Sequence, residues 1–381
     1  MATKAGAGKT VNKGEGSEFY AFLYILGETK LPLVDKDLKG TGGEVNFLKV
    51  LRESAIYEFI PGDRIAISVN GATHYLDCSQ AEAEARRVLN LLVSQKKISQ
   101  SDPVLCSALK LVWATKLRAK SANKQDLSAS VQFPNVPFSQ FIGFSIKSYL
   151  GKDPSILNAS NENTRVVYQI LKDGRMPTGT EIQKLQSFYP KVINGKKTGD
   201  YVDFYRKALQ DGFTFRLLEY KGKNLSYSLK LIDSKGPELL ARLLIEQYSA
   251  PSTRDPLITL VDAVAQKNDI PEVQDLGDNY LDRRCSLSHK IQNILLAYTT
   301  GATPAVKWTG TQSASGGLLV VEKDGRVVCL ELLSGNAVGT YLIENAYFVQ
   351  PSSDRNQTHQ LIIAKDMITI DLQLQIRIQH P

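Results

Sequence analysis

Residues 125–148 read QDLSASVQFPNVPFSQFIGFSIKS, and the fold turns on how this stretch is parsed. Leu127, Ala129, Val131 and Phe133 alternate with Ser128, Ser130 and Gln132, the two-residue period of a half-buried strand. Pro134 and Pro137 mark a turn, after which Phe144 and Ile146 alternate with Gly143, Ser145 and Lys147. Adjacent strands joined in this way aim Asp126 and Lys147 at one place.

That pairing has a chemical use. Hydrolysing a phosphodiester needs a divalent cation held by carboxylates, and a positive side chain that orients the attacking water and offsets developing negative charge. An acid at the start of one strand and a lysine on the polar face of the next is the skeleton of the PD-(D/E)xK nucleases. A surface hairpin carrying opposite charges has the same pattern, so the spacing alone leaves both readings open.

Three further stretches narrow the choice. GFSIKSYLG at 143–151 with LNAS at 157–160, the opening NKGEGSEFYAFL at 12–23 and the closing LQLQIRI at 372–378 together resemble the HpaII-type family of type II restriction endonucleases. The resemblance spans nearly the whole chain. It implies an α/β (α+β) fold, a PD-(D/E)xK mixed sheet core flanked by helices, to which the periodicity along the chain adds a helical insert and a β-rich C-terminal region. It also implies magnesium-dependent cleavage of double-stranded DNA at CCGG or a related palindrome, a homodimer, and a separately encoded DNA methyltransferase protecting host sites. In the wider superfamily the residue two before the lysine is acidic, whereas here it is Ser145, as the family's SIK pattern has it.

A second carboxylate is therefore needed. From Asn12, a plausible N-cap with Glu15 in the position that closes a capping box, a helix is expected in which Phe19, Phe22, Leu23 and Leu26 follow the 3.6 period. Glu18 lies on that same stripe, and a carboxylate facing a core requires a partner, either a shared metal ion or Lys147. Alternatively Glu15 caps the helix and Glu18 pairs with a surface base. Glu162, fifteen residues after Lys147, is the other candidate. The opening that carries Glu18 belongs to the resemblance, which favours it. The expected roles are then Asp126 and Glu18 on Mg2+, Ser145 on a water of the metal's shell, and Lys147 on the attacking water or the transition-state charge.

Composition agrees with a polyanion partner without requiring one. The 381 residues carry a net charge of +7, with 43% hydrophobic and 22% charged residues, as in a globular protein of one large or two ordinary domains. Lys110, Lys116, Arg118, Lys120 and Lys124 fall in fifteen residues without an acid, directly before Asp126. Phosphates approaching the site would meet them first, although a solvated helix face has the same composition. For base reading, Arg355 in PSSDR is the first choice by resemblance, followed by Arg377 and Gln375 on the closing strand.

Other chemistries find less support. AGAGKT at 5–10 has Thr3 where a phosphate loop needs its first glycine, the four cysteines form no CxxC pair, and the four histidines sit in no catalytic spacing. No apolar run approaches bilayer length, and the basic start lacks the apolar middle of a signal peptide, so a cytoplasmic protein is expected. The competing readings are a structure-specific repair nuclease of the same fold and a DNA-binding protein without catalysis.

Along the chain three segments are expected: a nuclease core at 12–175, a mostly helical region at 176–300 and a β-rich region at 301–381. IAISV before Asn70-Gly71 predicts a hairpin, as do GLLVVE and RVVCLELL around Asp324-Gly325. Residues 81–95, 180–190, 201–209, 236–249, 259–269 and 286–300 read as helices. FTFRLLEY at 213–220 and LSYSLKL at 225–231 read as strands, and 105–117 fits helix or buried strand. Residues 368–378 alternate as one strand, Ile368 to Ile378 on one face and Thr369, Asp371, Gln373, Gln375 and Arg377 on the other.

Overall fold

The architecture comes from a computed structural model that describes residues 10–118, 124–134, 136–193, 196–198, 200–250, 252–267, 270–333, 336–350 and 358–381. It is a mixed α/β protein whose principal sheet has nine strands. In spatial order these are Lys30–Val34, Val327–Glu331, Gly317–Val321, Gln140–Ser148, Leu127–Gln132, Gly40–Arg52, Ala55–Ile60, Arg64–Val69 and Ala72–Asp77. Lys30–Val34 also pairs antiparallel with Gly40–Arg52, so six of these strands close into a ring.

The central hairpin forms as the alternation predicts. Leu127–Gln132 and Gln140–Ser148 run antiparallel, with Leu127, Ala129 and Val131 buried. The second strand differs from expectation in being covered on both faces, because Ser145 and Lys147 are as buried as Phe144 and Ile146. Its other neighbour is Gly317–Val321, which pairs with it in parallel and sets Leu318 opposite Ser145 and Val320 opposite Lys147. Gly143 is required here: a Cβ at this position would stand 2.2 Å from the Ser313 carbonyl oxygen.

The first helix, Lys13–Glu28, is capped by Asn12, whose side chain accepts the Gly14 N–H at 3.1 Å. Phe19, Phe22, Leu23 and Leu26 are fully buried against the sheet and the helix Cys78–Ser94. Each such side chain contributes about 1.5–3 kcal/mol relative to exposure. The hydroxyl of Ser148, at the end of the strand Gln140–Ser148, donates to that of Ser17 at 2.9 Å and fixes the helix beside the hairpin.

A second core gathers most of the remainder. Arg165–Lys172 lies between Phe213–Tyr220 and Met367–Gln373 in a four-stranded sheet, and Ser155–Leu157, Ile376–Ile378 and Ala346–Phe348 make a small sheet beside it. Helices Gly236–Glu246, Leu257–Ala265 and Tyr280–Thr300 pack on these. Both expected hairpins are present, Asn70 and Gly71 adopting φ of 50° and 80° as their tight turn demands. No helix among the described residues is long and apolar enough to cross a membrane.

Two local readings are corrected and one open reading is resolved. LSYSLKL is helical, within Lys223–Ile232, because Leu225, Ser228 and Leu229 at helical spacing face the core while Tyr227 and Leu231 stay exposed. The ambiguous stretch resolves to a helix, Pro103–Leu111, which ends before Trp113 takes a φ of 52°. The closing strand breaks into Met367–Gln373 and Ile376–Ile378, which serve different sheets. Thr369, Asp371 and Gln373 on its polar face are buried, Asp371 accepting from Arg165 and Gln373 from Thr164, so that part of the face is internal.

Candidate active site

Asp126 sits just ahead of the first strand of the hairpin, its N–H donating to the Phe144 carbonyl at 2.9 Å. The carboxylate turns toward the partner strand, where Oδ2 accepts the Ile146 N–H at 2.8 Å and the Ser145 hydroxyl at 3.3 Å. Lys147 Nζ donates to that same hydroxyl at 2.8 Å. Ser145 thus links the aspartate and the lysine through one oxygen. Ser145 is a neutral connector between two charged neighbours.

Glu18 faces this chain from the first helix. Burial lifts its carboxyl to about 7, Asp126 reinforces the shift, and Arg118, Lys147 and Arg52 oppose it. Arg118 Nε stands 3.8 Å from its Oε2. Burial pulls the Lys147 ammonium below its ordinary value, with Asp126 and Glu18 acting against the shift. Lys124, expected on the approach surface, instead lies beside Asp126 and Lys147 and donates to the Ile156 carbonyl at 3.0 Å. Its burial, helped by Lys147, brings it down to about 8.

Two carboxylates therefore face several cations in one enclosed place. Oxygen donors of this kind suit a hard divalent ion that keeps most of its water shell. No group of three or more His, Cys, Asp or Glu side chains that could hold a metal ion occurs among the described residues, so a cation here would rest on two carboxylates and water. The raised Glu18 carboxyl is what a cation shared with Asp126 would relieve, so the residues fit a hard divalent cation.

The other expected residues fall elsewhere. Glu162 is on a turn of 3₁₀ helix, Asn161–Thr164, with its side chain 66% exposed and 3.1 Å from Arg165 Nε. Gln375 and Arg377 are half-buried, and the backbone of Arg377 lies between Ser155 and Tyr347. Lys120 and Arg355 lie outside the described residues. Sequence reading gave no sign of Arg52, a single arginine at a strand end whose place in the site comes from tertiary packing alone.

Similarity to known proteins now bears on this geometry. The pattern that describes HpaII restriction endonucleases matches residues 12–378. The chain belongs to the HpaII restriction endonuclease family. As a member of that family it is a type II site-specific deoxyribonuclease, a hydrolase whose substrate is DNA. It is similar to the type II restriction enzyme HpaII of Haemophilus parainfluenzae, with 27% identity over 378 residues that cover 96% of this chain and 98% of that protein. No solved structure matches the chain.

Proposed function

We propose that the cluster of Asp126, Glu18, Ser145 and Lys147 cleaves double-stranded DNA with magnesium, at CCGG or a related palindrome. The observation that carries this reading is the hydrogen-bonded sequence Asp126–Ser145–Lys147 with Glu18 turned toward it. The same arrangement supports a PD-(D/E)xK core in which serine replaces the second acid. The core begins with residues 12–175 and is completed by the pairing of Gly317–Val321 with the catalytic strand. Residues 176–300 and the rest of 301–381 surround it.

Asp126 and Glu18 would hold the cation. When bound, magnesium polarises the scissile phosphate and lowers the pKa of an attacking water. Asp126 is held for that task by the Ile146 N–H and by Ser145. Lys147, kept beside Ser145, orients the incoming water and offsets charge on the phosphorane-like transition state. Its burial means that this charge acts through little intervening solvent. Lys124 supplies a second positive charge toward the phosphate, and Arg118 extends it outward.

A palindromic target calls for a two-fold symmetric pair of subunits, each cutting one strand, with Arg377, Gln375, Lys120 and Arg355 as candidates for DNA contact. A companion methyltransferase and a cytoplasmic setting follow from the same reading. The test uses purified protein and plasmid DNA. Asp126→Ala and Lys147→Ala are each expected to lower cleavage by roughly 10³-fold or more while leaving duplex binding largely intact. Cutting near the parental rate by either variant would remove the hairpin from the mechanism. Nicking at branches without defined plasmid fragments would favour a repair nuclease.

A further inference from the structure

Arg52 ends the strand Gly40–Arg52 and is 3% exposed. Its guanidinium lies 5.4 Å from the centre of the Phe19 ring and 4.9 Å from that of Phe22, both on the helix that carries Glu18. From the same group, Nη2 donates to the carbonyls of Lys116 at 2.8 Å and Leu117 at 2.5 Å. One planar cation thus joins the first helix to the segment that carries Arg118. Glu53 grips that segment from outside, its carboxylate accepting the N–H groups of Thr115 at 3.2 Å and Lys116 at 3.0 Å and also the Thr115 hydroxyl.

Burying a cation is costly, and an apolar residue would fill such a place more cheaply. What an apolar residue would not do is stack on two rings while donating to two carbonyls. Lysine has the charge without the planar fork. The arrangement therefore fixes geometry, and the geometry it fixes is the distance from Arg118 to Glu18.

We propose that Arg52 is a positioning residue for DNA cleavage: it clamps Lys116 and Leu117 onto the first helix, so that Arg118 is presented at the cluster of Glu18, Asp126 and Lys147. There the exposed Arg118 guanidinium meets a phosphate of the DNA. The inference rests on the reading of that cluster as the cleavage centre, and on Arg118 acting at it.

The experiment is a double-mutant cycle on the full chain with Arg52→Lys, Arg118→Ala and their combination. Single-turnover cleavage of a supercoiled plasmid bearing CCGG sites reports the chemical step, and gel-shift titration under chelator reports DNA affinity. Arg52→Lys is expected to slow cleavage about 10- to 100-fold with affinity changed by no more than about threefold. The double variant should be no slower than Arg118→Ala alone. Because Arg52 is buried, Glu53→Ala gives a second route that loosens the same segment from its exposed side. It too should slow cleavage in the parent and add nothing in the Arg118→Ala background. Losses that multiply, a full-rate Arg118→Ala or a full-rate Glu53→Ala each overturn the proposal. An Asp126→Ala control separates the two levels of argument: if it is inactive while the losses multiply, the clamp fails and the cleavage centre stands. If it still cuts, the centre itself is misassigned and the clamp falls with it.

Discussion

Glu18 is the side chain through which pH acts most directly on the site. Its folded-state carboxyl titrates at about 7 against an ordinary 4.5, so between those values the folded chain binds more protons than the unfolded one. Stability from this group is fully present below 4.5 and is lost as pH rises through about 7. In the metal-free protein Glu18→Gln should therefore be more stable than the parent at about pH 8, by roughly 1–3 kcal/mol, with little difference at about pH 4. Urea titrations with a chelator present check this, and equal midpoints for the two proteins at the higher pH would refute it. Activity should respond in the opposite direction: Glu18→Gln loses cleavage, whereas Glu162→Gln, at an exposed carboxylate paired with Arg165, keeps it. The reverse order would move the second metal-binding acid to Glu162. Glu18 was legible in the sequence because it interrupts an apolar helical stripe. Arg52 and the burial of Lys124 were not, because neither shows a local pattern and both depend on chain segments brought in from elsewhere.

At the scale of elements, the second strand of the central hairpin is covered on both faces, and Gly143 is a point of close approach. A methyl group there would meet the Ser313 carbonyl and the Gln125 side chain, and the backbone oxygen cannot rotate aside. Gly143→Ala is expected to cost about 1–3 kcal/mol and to depress cleavage by displacing Ser145, two residues on. A thermal melt unchanged from the parent would show that the 311–316 segment yields easily. The hairpin could be read from alternation because the first strand has one polar face and the turn has its prolines. The second strand's full burial was hidden, since serine, glycine and lysine look like a solvent face until another layer covers them. LSYSLKL misled for a related reason: three alternating leucines and a tyrosine satisfy period two, and only Leu225 and Leu229 proved to matter for the core. In the closing segment the alternation was real, yet the chain changes sheets between Gln373 and Ile376.

The whole molecule places its proposed cleavage centre in a sheet assembled from distant parts of the chain, while most of the described helices pack around a second core. For a palindromic target, two such molecules should sit on one duplex, related by its two-fold axis. Analytical ultracentrifugation with a short CCGG duplex under chelator is expected to show a mass of two chains per DNA, and a single chain at saturation would instead mean sequential nicking. The parallel partner of the catalytic strand, Gly317–Val321, arrives in the sequence long after Lys147. Pairing of that kind is slow to form, because a large loop must close first. During translation, then, a half-made polypeptide already holds Asp126 and Lys147 but has no bed in which to seat them. A chain cut short before Gly317 therefore lacks the strand that pairs with residues 144–148 and is expected to leave Lys147 without its parallel neighbour Val320.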